Sequence, residues 1–171
     1  MMGIADANYN FIYVDVGSQG RISDGGGSSK TELYNKLQKG DLNLPPGDDL
    51  PGIDENVPYH FLADDAFPLQ RNIMNTYPGT HEKNSPKRIY NYRLCRPRRV
   101  IENTFGIMAS VFRVLRKPVR LKPLSATLVK MTCVYLHNFL RKRSSSYAPH
   151  EILDTVKELH SVDTTVGLKV K

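Results

Sequence analysis

Two acidic residues in this sequence combine a useful chemical type with a telling position. Asp64 follows Pro58-Tyr-His-Phe-Leu-Ala63, an apolar run of strand length, and ligand sites in open α/β sheets gather at the carboxyl ends of strands. Glu102 is the only acid between Lys83 and Arg143, a stretch holding sixteen Lys and Arg. At helical spacing it shares a face with Gly106 and Ala109, whose small side chains leave room for a ligand beside the carboxylate. Carboxylates supply hard oxygens for a divalent cation, and neighbouring arginines neutralise phosphates, a combination that phosphodiester chemistry needs. Each residue also has a plain structural use. Asp64, like Asp65, suits a turn or a helix N-cap, and Glu102 can pair with Arg98 at i−4 or Arg99 at i−3.

The charge distribution bears on the same question. The 171 residues carry a formal net charge of +7. Asp41 to Gln70 contains seven acids and no Lys or Arg, whereas the basic stretch from Lys83 follows it. A basic half of this kind points to a polyanion such as nucleic acid, the alternative being a solvated basic surface. Nothing in the sequence approaches the roughly 18–20 apolar residues of a membrane span. The opening segment has no basic, apolar pattern of a secretory signal. Two cysteines, Cys95 and Cys133, are too few for a disulfide framework and fit a reducing compartment, and the five histidines show no zinc-ligand spacing. Gly25 to Thr31 is glycine-rich but lacks the Gly-Lys-Ser/Thr ending of a phosphate-binding loop.

The elements that must position these residues follow from pattern. Phe11–Val16 reads as a strand closed by Gly17, with Met1–Ala5 as its hairpin partner across a turn at Asp6–Tyr9. Ser29 and Glu32 form a capping box for a helix through Leu37, stopped at Gly40. Residues 41–57 read as a surface loop, 68–76 as a short helix and 77–90 as loop. Ile101, Phe105, Met108, Phe112 and Leu115 are spaced as one helical stripe, which predicts a helix from near Pro97 to before Pro118, with Tyr92–Arg96 as an earlier segment kinked at that proline. A second helix runs from Pro123 to about Arg141 with Leu124, Leu128, Met131 and Tyr135 in register, and Tyr135 and Phe139 read as core. Strands followed by helices in this order predict a mixed α/β domain over residues 1–143, with residues 144–171 as a flexible tail.

Five blocks then add what spacing alone does not. Phe11-Ile-Tyr-Val-Asp-Val-Gly17, Ser23-Asp24-Gly25-Gly26, Leu62-Ala-Asp-Asp-Ala-Phe-Pro-Leu69, Asn91-Tyr-Arg-Leu-Cys-Arg-Pro-Arg-Arg-Val-Ile-Glu-Asn-Thr-Phe-Gly106 and Leu136-His-Asn-Phe-Leu140 resemble, in order, the signature blocks of the Harbinger transposase-derived nucleases. The resemblance covers residues 1 to about 150 and implies an RNase H-like mixed sheet with flanking helices and an Asp-Asp-Glu endonuclease. Under it, Asp64 matches the second catalytic Asp and Glu102 the catalytic Glu, both as ligands of Mg²⁺ or Mn²⁺, and the 37 residues between them suit the family's spacing. Asp24 matches a position with a structural, capping role. Arg96, Arg98, Arg99, Arg113 and Arg116 are the expected nucleic-acid contacts. DNA as substrate, a Myb-like DNA-binding partner and a nuclear location are further implications.

The sequence also departs from that pattern. Ala63 stands where the family has Gly, and Pro97 precedes the Glu. The family's first catalytic Asp belongs to an Asp-Gly-Thr-His-like block on a strand before Phe11–Val16 and its hairpin partner, and no such block is present. The resemblance therefore predicts an amino-terminally truncated domain without its first strand, with weakened metal binding. The competing expectation is a non-catalytic nucleic-acid-binding or interaction protein that retains the basic surface.

Overall fold

The computed structural model describes residues 1–17, 32–49, 52, 55–64 and 67–143, and the backbone of 166–170. Its first element pair is the expected hairpin: β1 (Met2–Ala5) lies antiparallel to β2 (Phe11–Asp15). The Asp6 carboxylate closes the turn by accepting from the Asn8 and Asn10 amides at 2.9 and 2.8 Å, which lets Tyr9 sit at φ +62°. Such Asx geometry offsets the cost of a left-handed residue that is not glycine.

Next comes α1 (Glu32–Lys39), stopped at Gly40, which takes φ +73° as a left-handed cap should. Two short strands, β3 (Asp48–Asp49) and β4 (Asn56–Val57), pair within the acidic loop. The apolar run before Asp64 yields β5 (Phe61–Ala63). Residues 68–76 do not form the expected helix. They fold back through a Gln70–Ile73 bridge into β6 (Ile73–Met74), which pairs parallel with β5. The helix expectation fails there because Pro68 and the short apolar pair Ile73-Met74 leave no amphipathic stripe to hold one.

Helix α2 spans Pro86–Val111, so it begins eleven residues before Pro97, where the stripe suggested a start. The true start carries its own signal: the Ser85 hydroxyl accepts from the Arg88 amide at 3.3 Å, and Pro86 occupies the first turn, where its missing N–H costs nothing. Pro97 lies inside the helix and deprives the Arg93 carbonyl of its usual donor. Ile101, Phe105 and Met108 are buried as the stripe predicted, while Phe112 and Leu115 fall in the turn after the helix, which continues as a 3-10 segment, Arg113–Arg116. Helix α3 (Pro123–Arg143) then runs close to its expected length.

The last strand is β7 (Val166–Val170), within the span expected as a tail; residues 144–165 lie outside the described residues. It is not at an edge. The sheet order is β2-β1-β7-β5-β6, with β7 antiparallel to β1 and parallel to β5. Met2 and Ile4 pack with Ala63, Phe67 and Ile73 under Leu33, Tyr34 and Leu37 of α1. Ala5, Phe11, Val100, Ile101, Phe105, Met108, Cys133 and Val134 form the other core, between the sheet and helices α2 and α3. The result is a mixed α/β domain with helices on both faces of a mixed sheet. Gly3 marks a close approach of β1 to α2, since an added Cβ would meet the Phe105 ring at 3.2 Å and Phe11 at 3.3 Å.

Candidate active site and nucleic-acid interface

Asp64 is the first residue beyond β5 and is half-buried. Its carbonyl accepts from the Phe67 amide at 3.1 Å, which turns the chain away from the sheet edge. Buried Ala63 anchors it from behind, and Phe67 anchors it from ahead. Asp64 thus stands where the chain leaves a central parallel strand, with β6 on one side of that strand and β7 on the other. By register Ala63 pairs with Leu168, so the row containing Asp64 continues on β7 at Lys169, and on β1 at Gly3.

Glu102 projects from α2, which packs across β1, β5 and β7. Ile101 beside it is fully buried, whereas Glu102 keeps 36% of its side-chain exposure. The Arg98 guanidinium donates to its carboxylate at 3.3 Å, one turn back, and is itself 24% exposed. The i−4 pairing anticipated from spacing is therefore present. Gly106, one turn ahead, is exposed and has open space where a Cβ would stand. A half-exposed ion pair of this kind contributes little to stability, because water screens it. Among the described residues, no group of three or more His, Cys, Asp or Glu converges as a preformed metal cage.

The expected nucleic-acid contacts divide by role. Arg96 and Arg98 are half-buried on α2, and Arg99 is exposed. Arg113 is exposed in the 3-10 segment. Arg116 is exposed but also employed: its Nε donates to the Ala109 carbonyl at 2.9 Å and its Nη2 to the Ser110 carbonyl at 2.8 Å. It caps the carboxyl end of α2, where unpaired carbonyls and the helix dipole favour a cation. Lys117, Arg120 and Lys122 extend the exposed basic surface to the start of α3. Asp24 lies outside the described residues.

What the spacing missed is how α3 is used. Leu124, Leu128 and Tyr135, read as an inward stripe, are 75%, 61% and 66% exposed, and Phe139 is exposed too. The helix instead turns Cys133, Val134 and His137 inward. The His137 ring pairs through Nε2 with the Tyr9 carbonyl at 2.7 Å, and the Asn138 amide brackets Phe11 by accepting from its N–H and donating to its carbonyl, both at 2.8 Å. Arg141 donates twice to the Asn8 carbonyl, at 3.1 and 2.8 Å. Burial holds the His137 pKa below its ordinary value, with the Tyr9 carbonyl acting against it and Arg141 with it. The neutral ring then donates through Nε2, and its other face meets Phe11 edge-on at 5.3 Å between centroids. These polar side chains satisfy main-chain groups of the hairpin that no strand pairs. The Leu136-His-Asn block carries this packing role in the sequence itself, because a His-Asn pair inside an otherwise apolar helix needs buried partners.

No helix among the described residues is long and apolar enough to cross a membrane. No curated protein matches the chain, and no solved structure does. A family model does: DDE superfamily endonuclease, over residues 1–138. That span runs from the hairpin through Asp64 and Glu102 to the clamp residues His137 and Asn138, so the chain belongs to the DDE superfamily endonucleases.

Proposed function

We propose that this chain is a transposase-derived endonuclease of the Harbinger type that cuts DNA phosphodiester bonds with the help of Mg²⁺ or Mn²⁺. Family membership supports the nuclease class and DNA as substrate. The observation that carries the residue assignment is the half-exposed Glu102, beside open space at Gly106, on the helix that packs across the strand ending in Asp64. The donor chemistry fits a hard cation, since both groups are carboxylates and Mg²⁺ commonly keeps several waters alongside one or two such ligands. Asp64 and Glu102 would hold the cation, which when bound supplies charge for activating water and stabilising the leaving oxygen.

The protein's own groups do the rest. Arg98 donates to Glu102 and would orient its carboxylate beside a bound cation. Arg99 and Arg113 face solvent and bind backbone phosphates. Arg96 supports the same strip from its half-buried position, and Arg116 contributes through its exposed side while capping α2. We place the activity in the nucleus and assign target choice to a Myb-like DNA-binding partner. The competing reading is a non-catalytic nucleic-acid-binding role, in which the Arg98–Glu102 pair stays closed.

A melt with and without Mn²⁺, paired with nicking of supercoiled DNA, separates the two readings. A catalytic site gives a Tm that rises with Mn²⁺, by about 2.7 kcal/mol of stabilisation at one hundred times the Kd. Asp64→Asn and Glu102→Gln should abolish both that rise and the nicking. Salt-sensitive DNA binding that persists without metal, with no nicking, would leave only the binding role.

A further inference from the structure

Helix α3 is apolar on two sides, and the core uses one of them. Cys133, Val134 and His137 turn inward, while Leu124, Leu128, Tyr135 and Phe139, on the opposite side of the helix, are each half or more exposed. A single apolar side chain on a surface is ordinary, but a continuous stripe of them on a surface helix marks a place of contact. Its spacing describes the contact. Leu124, Leu128, Met131 and Tyr135 follow one another by four, three and four, the seam of two helices packed along their length. From Leu124 to Phe139 the seam runs about 22 Å, or about four turns.

Charge then limits what can lie there. Residues 123–143 contain no acid. Exposed cations stand at the two ends of the seam: Lys122 just before the helix, and Lys142 and Arg143 at its close, with the Arg143 guanidinium 4.7 Å from the centre of the Phe139 ring. Between them the helix carries only Lys130, which is half-buried, and Arg141, which donates to the Asn8 carbonyl. Two copies packed seam to seam would bring cation against cation in either direction. A nucleic-acid strand carries charge along its whole length, whereas the middle of this seam is leucine and methionine, without cations for phosphates or flat rings for bases.

We propose that the outer face of α3 is a docking site for a partner protein's amphipathic helix, apolar along one side and bearing Asp or Glu at both ends. The apolar side covers Leu124, Leu128, Tyr135 and Phe139, which supplies the affinity, and the terminal carboxylates meet Lys122 at one end and Lys142 and Arg143 at the other, which fixes register and excludes basic helices. The face lies apart from Asp64 and Glu102, so docking there is independent of any metal at those carboxylates.

The test titrates the full chain against two fluorescent synthetic helices of about 20 residues, long enough to span the seam. Both carry leucines at heptad spacing; one ends in glutamates and the other in lysines. The acidic probe should bind about tenfold more tightly, the order expected when rim charges change from attractive to repulsive. Leu128→Ser with Tyr135→Ser should abolish binding, and a thermal melt checks that this variant keeps its fold. Lys142→Glu with Arg143→Glu leaves the seam intact and should erase the preference between the probes. Equal affinity for the two probes, no binding of either, or a preference that survives the charge variant overturns the proposal. A concentration-dependent dimer that the serine variant dissolves would give the face to a second copy instead. Single-stranded DNA binding that the serine variant weakens tenfold or more, without acidic-probe binding, would give it to nucleic acid.

Discussion

Two regions of this molecule use polar side chains in opposite ways. At the hairpin, His137, Asn138 and Arg141 are all committed to carbonyls and amides of residues 8–11, and His137 is fully buried. Asp64, just beyond β5, and Glu102, on α2, are half-exposed, and Glu102 pairs with Arg98 in partly wet surroundings. The difference separates side chains committed to the fold from side chains left partly in water. A buried donor that loses its partner costs the desolvation of what is left behind, whereas a half-exposed carboxylate keeps water close by and costs little to change.

That comparison can be broken by substitution, and the largest effect should come from the clamp. His137→Ala removes a packed ring and strands the buried Tyr9 carbonyl, so a loss of about 3 kcal/mol is expected by urea or thermal unfolding. Asn138→Ala deletes both halves of the Phe11 bracket and should cost about 2 kcal/mol. A second asparagine offers an internal control. Asn91 on α2 brackets Tyr77 in the same manner, at 2.8 and 2.9 Å, but in an exposed setting. Water can replace that bracket, and Asn91→Ala should cost under about 1 kcal/mol. Equal losses at Asn138 and Asn91 would remove burial as the explanation.

Acid sharpens the same contrast. The pKa of His137 in the folded chain lies below its ordinary 6.5, so the unfolded chain takes up the proton first. Stability from this group is complete above that ordinary value and declines as pH falls through it towards the folded pKa. Melts between pH 7.5 and 5 should show a decline that His137→Gln flattens. The smallest stability effect belongs to the carboxylates. Asp64→Asn and Glu102→Gln should each shift unfolding by no more than about 0.5 kcal/mol. Both should nonetheless remove the response to Mn²⁺, measured in the same melts, and a large destabilisation by either would mark it as a structural group.

The hairpin, the carboxyl cap of α1 and helix α3 were legible because each rests on local rules, while Ser29 of the expected capping box lies outside the described residues. Asp6 closes its own turn, Gly40 takes the left-handed cap and Pro123 opens α3 within a few residues of where pattern placed them. The start of α2 was misjudged because Pro97 looked like a first-turn proline, while Ser85-Pro86 carried the stronger capping signal. The inward face of α3 was misjudged for a different reason. Apolar spacing favours Leu124, Leu128 and Tyr135, yet the hairpin offers unpaired main-chain groups, and a helix that turns His137 and Asn138 towards them gains more than one that buries leucines alone.

By itself the sequence determined the mixed α/β class, the basic half that suits nucleic acid and the two carboxylates that suit a divalent cation, because composition, periodicity and short-range capping are local properties. Only the tertiary structure decided that α3 clamps the hairpin with polar groups and that residues 166–170 form the centre of the sheet between β1 and β5. Those outcomes depend on main-chain groups brought together from distant parts of the chain, and a hydrogen bond between Phe11 and Asn138, or a strand pairing of Gly3 with Lys169, leaves no periodic trace in either segment.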